Sequence, residues 1–151
     1  DVMKSCRRLV NTQIQEKEID LRVSAASNLP KLFADERRLK QILVNLLSNA
    51  IKFSDKNGRI SFGARLNSKG ELAFRIADKG IGMSKNEIAI AMEPFSQIDS
   101  LHTRATEGTG LGLPIAQEFT EVHGGTLKLS SKPGVGTAVI VTFPAKRMRK
   151  K

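Results

Sequence analysis

The stretch Ala34 to Phe53, ADERRLKQILVNLLSNAIKF, constrains the fold more than any other part of the chain. It contains no Gly or Pro, and its apolar residues recur at three- and four-residue spacing, which predicts a helix. Asp35 stands at its start, where a side-chain oxygen can accept from the free amides of a first turn. At about 100° per residue, Leu39, Ile42, Leu43, Leu46, Leu47, Ala50 and Ile51 cover roughly half of the helix wall, so that face needs a partner. Gln41, Asn45, Asn49 and Lys52 form a narrow polar stripe beside it, because residues three or four apart stack along the axis. Two readings of the stripe stay open. It is a solvated helix edge, or it is a site for a hydrated cation carrying phosphates. Carboxamide oxygens are hard ligands for Mg²⁺, and a lysine ammonium is a point charge for phosphate oxygens.

A chain of 151 residues can bury a real core and points to one domain. It has no apolar run long enough to span a membrane. It shows no secretory signal and begins at Asp1, so it reads as an excised piece of something longer. A single cysteine, Cys6, gives no disulfide framework and fits a reducing compartment. The net charge of +10 raises the question of nucleic acid. Five of the last six residues, KRMRKK, are cations on an end expected to fray. With aromatics at 5% and neither Trp nor Tyr there is no platform for stacking bases. Nucleic acid is disfavoured, and a polyanionic small ligand accounts for the excess charge as well.

In chain order, Val2 to Glu16 reads as a helix with Val2, Cys6, Leu9, Val10 and Ile14 on one face. Ile19 to Val23 reads as a strand. After the long helix, Asp55 to Gly58 has turn chemistry, and Arg59 to Leu66 and Glu71 to Asp78 form a hairpin across Asn67 to Gly70. Ser84 with Glu87 is a capping box opening a short helix to Met92. Glu93 to Gly108, EPFSQIDSLHTRATEG, is polar and long for a connection, the profile of a functional loop. His102 within it reads as a solvated loop residue, with no metal-ligand spacing around it. A helix follows to about Val122, with Pro114 suited to its first turn and a glycine stop at His123-Gly124-Gly125. Thr126 to Ser130 and Thr137 to Phe143 are the last strands, joined through Lys132 to Gly136.

Two glycine-bearing segments carry possible chemistry. Asp78-Lys-Gly80-Ile-Gly82 follows a strand, where a carboxylate can accept from an exocyclic amine while bare backbone admits a planar ring. An ordinary Asp-x-Gly turn has the same pattern. Gly108-Thr-Gly110-Leu-Gly112 opens a helix, where free amides and the helix dipole favour an anion. It is neither a P-loop nor the GxGxxG fingerprint, and a structural turn remains the alternative.

The order of the pieces is more specific than any one of them. An Asn-x₃-Asn-x₂-Lys helix precedes strand–Asp-x-Gly-x-Gly, then Pro-Phe, a polar loop with Arg, Gly-x-Gly-x-Gly and a Gly-x-Gly turn. Over about Val2 to Pro144 this resembles the ATP-binding catalytic domain of bacterial sensor histidine kinases, within the superfamily shared with DNA gyrase and the heat-shock chaperone ATPases. The resemblance implies a Bergerat-type fold: an α/β (α+β) two-layer sandwich, with a mixed, mainly antiparallel five-stranded sheet backed by three helices. It implies Asn45, Asn49 and Lys52 as the N box, with both asparagines as Mg²⁺ ligands. Asp78, Gly80 and Gly82 fall in the first glycine box and Phe95 in the F box. Arg104, Gly108, Thr109, Gly110, Leu111 and Gly112 fall in the lid and second glycine box, and Gly134, Gly136 and Thr137 at the third. Asn45, Asn49, Lys52 and Arg104 are the implied catalytic set, and the others contact nucleotide. Two positions depart from the family: Met92 replaces a usual second aromatic, and Glu107 replaces the leading glycine of the second box.

By the resemblance the chain is a protein-histidine kinase domain that binds Mg·ATP and delivers the γ-phosphate in trans. His102 is followed by Thr103 and His123 by Gly124, not by the acidic residue that follows the family's phospho-acceptor. The implied partners are therefore a histidine-bearing dimerisation hairpin of the parent protein and, downstream, a response-regulator receiver domain. Implied too are a cytoplasmic setting and no membrane contact by this segment. The expected division is 1–16 as a linker helix, 17–145 as the ATP-binding domain and 146–151 as a basic tail. The alternative is a pseudokinase whose nucleotide-ordered lid switches partner contacts. A gyrase-type ATPase is disfavoured, because that type places a glutamate where this stripe offers Gln41 and Asn45.

Overall fold

The computed structural model describes residues 2–26, 29–92 and 112–149. Its central element is helix α3 (Glu36–Phe53), and the apolar positions expected on its inner face are the ones it buries. Asp35 caps it, accepting from Arg37 N at 3.0 Å and Arg38 N at 3.3 Å. Three further helices are α1 (Val2–Leu9), α2 (Asn11–Lys17) and α4 (Lys85–Ala91), and α5 (Gly112–Val122) follows. The main sheet is built from β1 (Asp20–Ala25), β3 (Arg59–Leu66), β4 (Leu72–Asp78), β5 (Thr126–Lys132) and β6 (Gly136–Phe143). Its strand order is β1-β3-β4-β6-β5. The β1–β3 pair is parallel and the other three pairs are antiparallel. A parallel pair cannot close by a tight turn. The chain crosses over between β1 and β3, and α3 is laid on the sheet by that crossover.

The result is the mixed two-layer sandwich, with α1, α3 and α5 over one face of the sheet. Ile60, Phe62, Phe74, Ile76, Val141 and Phe143 point from the sheet into the same core as Ile42, Leu43 and Leu47 of α3. Burying each such side chain contributes about 1.5–3 kcal/mol. The first expected helix is instead two, α1 and α2, broken at Val10. Met3, Cys6 and Val10 are buried while Leu9 is exposed. Burial pushes the Cys6 thiol up to about 11, so it stays a neutral core side chain.

The basic C-terminal segment is not frayed as far as Arg149. Met148–Arg149 (β7) pairs with Lys31–Leu32 (β2) in a second, two-stranded sheet. Arg147 Nη1 donates to Phe33 O at 2.8 Å and its Nε donates to His123 O. The Arg147 and Arg149 guanidiniums lie 5.9 and 5.0 Å from the Phe33 ring, a favourable stack for exposed cations.

His123 is buried at the junction of α3 and α5. Its Nε2 accepts from Asp35 N at 3.2 Å, so Nδ1 must carry the proton it donates to Phe119 O at 2.7 Å. The ring also meets Phe143 edge-on at 6.1 Å. His123→Ala should cost about 2–4 kcal/mol, through a cavity and an unpaired amide at the start of α3. Thermal unfolding should then fall by roughly 5–15 °C. A shift below about 2 °C would contradict this structural role.

Candidate functional site

The last four carbonyls of any α-helix have no partner within the helix. In α3 each is answered from elsewhere. Ser54 Oγ donates to Ala50 O at 2.6 Å. Lys17 Nζ donates to Ile51 O at 2.9 Å, to Lys52 O at 2.8 Å and also to Ser54 O at 2.6 Å. Ile81 N donates to Phe53 O at 3.2 Å. A cation at this end also complements the helix dipole. The end of α3 that carries Asn49 and Lys52 is thereby fixed to α2 on one side and to the Asp78–Gly82 segment on the other. Burial lowers the Lys17 pKa, with the Asp55 charge opposing that shift.

Beyond β4 the chain makes contacts that only glycine permits. A Cβ on Gly80 would stand 2.0 Å from Phe53 O, and one on Gly82 1.8 Å from Lys132 O. One on Gly136 would stand 2.1 Å from Asp78 O, and Gly136 also has φ +137°. Among the described residues, the absent side chains of these glycines are thus used by the protein itself. They let the end of α3, the Asp78–Gly82 segment and the β5–β6 turn close on one another. Gly134 is different: nothing lies within 4 Å of its Cβ position, and its φ of +77° serves the turn. Gly134 N donates to Ile81 O at 2.6 Å, closing the same junction.

Asp78 sits at this junction, half-buried. Its Oδ1 accepts from Gly80 N at 2.8 Å. Burial raises its pKa, and the nearby backbone N–H groups of Gly80 and Thr137 only partly offset that. Next to it, Ser131 Oγ accepts from Met83 N at 2.7 Å, lies 2.7 Å from Thr137 Oγ1 and donates to Gly136 O at 2.9 Å. Ser131 has the parity of the inward-facing positions of β5, which could have marked it, and Lys17 carried no signal in sequence at all.

Asn45, Asn49 and Lys52 are half-buried along one side of α3, with Gln41 Nε2 donating to Asn45 Oδ1 at 3.4 Å. The structure thus brings the end of that stripe, Asp78, Gly80, Gly82 and Thr137 to one corner of the sandwich. Gly112 is the first residue of α5. Phe95, Arg104, Gly108, Thr109, Gly110, Leu111 and the expected lid lie outside the described residues, as does Glu107. Met92, in the place of the family's second aromatic, packs on the core. Ser84 accepts from Glu87 N, and Glu87 Oε1 accepts from Ser84 N, so α4 has its capping box. Among the described residues, no cluster of His, Cys, Asp or Glu could hold a metal ion, and no helix is long and apolar enough to cross a membrane.

An ATPase of the sandwich type is the class that this corner and this fold define. Residues 34–147 match the model of the histidine kinase-, DNA gyrase B-, and HSP90-like ATPase family, and the chain belongs to that family. It is 36% identical over 98% of its length to the cell-division control histidine kinase PdhS of Brucella abortus, of which it spans 15%. It superposes on full-length ShkA, solved with AMPPNP, at a TM-score of 0.82 and 29% identity, covering 99% of this chain and 30% of that one. The nucleotide-free catalytic domain of the histidine kinase ThkA has the same fold, with a TM-score of 0.79 and 24% identity over 95% of this chain and 92% of that one. Within the family, the likeness is thus to the histidine kinases.

Proposed function

We propose that the chain is the catalytic domain of a cytoplasmic sensor histidine kinase, which binds Mg·ATP and passes the γ-phosphate to a histidine on a separate dimerisation hairpin. The observation that carries this reading is the convergence of the end of α3, the Asp78–Gly82 segment and the β5–β6 turn around one half-buried carboxylate. Asp78, held by the Gly80 amide, keeps lone pairs with which to accept from the adenine amino group. Asn45 and Asn49 offer carboxamide oxygens of the kind Mg²⁺ takes, and Lys52 offers an ammonium to the phosphates. Bound Mg²⁺ would neutralise phosphate charge as the γ-group departs. The protein's own contribution is positioning: it holds the base with Asp78 and the phosphates with the α3 stripe, so that an incoming imidazole meets phosphorus in line. Arg104 is proposed as a second cation on the phosphates, and a response-regulator receiver domain as the later recipient.

Incubation of the 151-residue chain with labelled ATP and the parent protein's histidine hairpin should place acid-labile, base-stable phosphate on the hairpin. Asn49→Ala should fold normally, since Asn49 lies off the buried face, and lower the labelling rate about ten- to hundredfold. An unlabelled hairpin would overturn the kinase reading. An unimpaired Asn49→Ala variant would remove the Mg²⁺ assignment alone.

A further inference from the structure

Among the described residues the helical core packs on the opposite face of the main sheet, and the side chains of its outer face are arranged in rows across the strands. Strand register places Ser61, Ala77, Ala138 and Ser130 side by side in one row. On one side of that row stand Arg59, Lys79 and Lys132, and on the other stands Arg75, with Lys128 in the same rung as Arg75. Short side chains between long cations make a trough of about 500 Å³, within the range of small-molecule sites. Four strands at roughly 4.8 Å spacing make its floor about 14 Å long. A hydroxyl stands at each end of the floor. Among the described residues, the strand positions of this face carry one carboxylate side chain, Asp20, shared by Arg22 at 3.1 Å and Arg59 at 3.4 Å. Asp78, Ser131, Gly136 and Thr137 also border the trough, with the Asp78 carboxylate engaged by Gly80 N.

We propose that this trough is a second anion site, on the outer face of the sheet and bordering the α3 corner at Asp78 and Thr137, that takes a small elongated molecule bearing several phosphates. Cations on both walls with hydroxyl donors on the floor match a chain of phosphates lying across the strands. Among the described residues no aromatic side chain lines the floor or walls, which leaves charge, not stacking, as the source of affinity. An acidic protein surface would meet the long rim cations but leave the recessed Ser and Ala floor unfilled, so the small ligand is favoured. Lys79 lies between Asp78 and Gly80, so an occupant would touch the segment that reads the base from behind. The site stands on its own whether or not the kinase reading holds.

The test uses inorganic tripolyphosphate as probe, added to the isotope-labelled 151-residue chain with and without saturating AMPPNP. Amide signals of Ser61, Ala77, Ala138 and Ser130 should shift in both conditions, and affinity should fall about tenfold between 50 and 200 mM salt. The double substitution Arg75→Gln with Lys128→Gln, both exposed, should weaken binding at least tenfold. Lys4→Gln with Lys56→Gln, away from the trough, should change it less than twofold. Shifts confined to residues of α3 and the Asp78–Gly82 segment would overturn the proposal, as would equal losses in the two double variants. Trough shifts produced by polyglutamate but not by tripolyphosphate would overturn it in favour of an acidic protein partner.

Discussion

Asp78→Asn is expected to lose most of the affinity for ATP while leaving the fold at least as stable as before. The asparagine keeps an oxygen to accept from Gly80 N, so the junction described above need not open. Its amide nitrogen, however, would face the adenine amino group donor to donor. Such a mismatch costs about 1–3 kcal/mol, or roughly ten- to two-hundredfold in affinity. The stability side follows from burial. The folded chain holds the Asp78 carboxyl above its ordinary range, so folding favours the protonated form. That advantage is complete in acid, below the ordinary value of 3.8, and fades as the pH climbs through the raised value. The asparagine variant has no charge to desolvate and should lack this decline. Calorimetric titration with ATP, and thermal unfolding without nucleotide at pH 4 and pH 7, measure the two halves separately. Unchanged ATP affinity would remove Asp78 from base recognition, as would equal affinities for ATP and GTP. A variant less stable than the parent at pH 7 would show that the ionised carboxylate supports the fold.

Lys17→Met should produce a large loss of stability for a half-exposed side chain. Its ammonium answers Ile51 O, Lys52 O and Ser54 O together, and hydrogen bonds to a charged group contribute about 1.5–3 kcal/mol each before overlap. Since the three share one ammonium, a total near 3 kcal/mol is expected, or a fall in the midpoint of roughly 6–12 °C. Stability alone would make Lys17 a plain structural residue. Because the same carbonyls end the helix that carries Asn49 and Lys52, the folded variant should also bind AMPPNP several-fold more weakly at a temperature well below its midpoint. Lys17→Arg, which keeps a cation and its donors, should recover part of both effects. A destabilised variant with full AMPPNP affinity would confine Lys17 to the fold.

How far the sequence revealed this molecule depended on the range of each interaction. Helix α3 was legible because its period is long and uninterrupted, and its buried positions follow from spacing alone. The helix caps and turns were legible because their partners lie two to four residues apart. The break at Val10 was not, because Leu9 fits the apolar stripe and only the packing of α1 on α3 leaves it outside. The β2–β7 pair was missed because two-residue strands carry no alternation to read. Lys17 and His123 act across 35 and 88 residues of chain, on backbone groups that have no residue-type signature. The motif order located the corner containing Asp78, Gly80 and Gly82. It did not reveal that the glycines there are packed against the chain's own backbone.

The strand order also fixes a schedule. The central strand β4 is flanked by β3, made just before it, and by β6, which begins at Gly136, well after β4 ends at Asp78. A ribosome adding roughly 5–20 residues per second leaves one edge of β4 open for several seconds. During that interval Phe74 and Ile76 have only β3 and the α3 face to cover them, and a row of backbone donors and acceptors stands unpaired. The domain is therefore finished from its end inward. Strand β6 must insert between β4 and β5 before the nascent protein loses an exposed sheet edge to which another copy could pair.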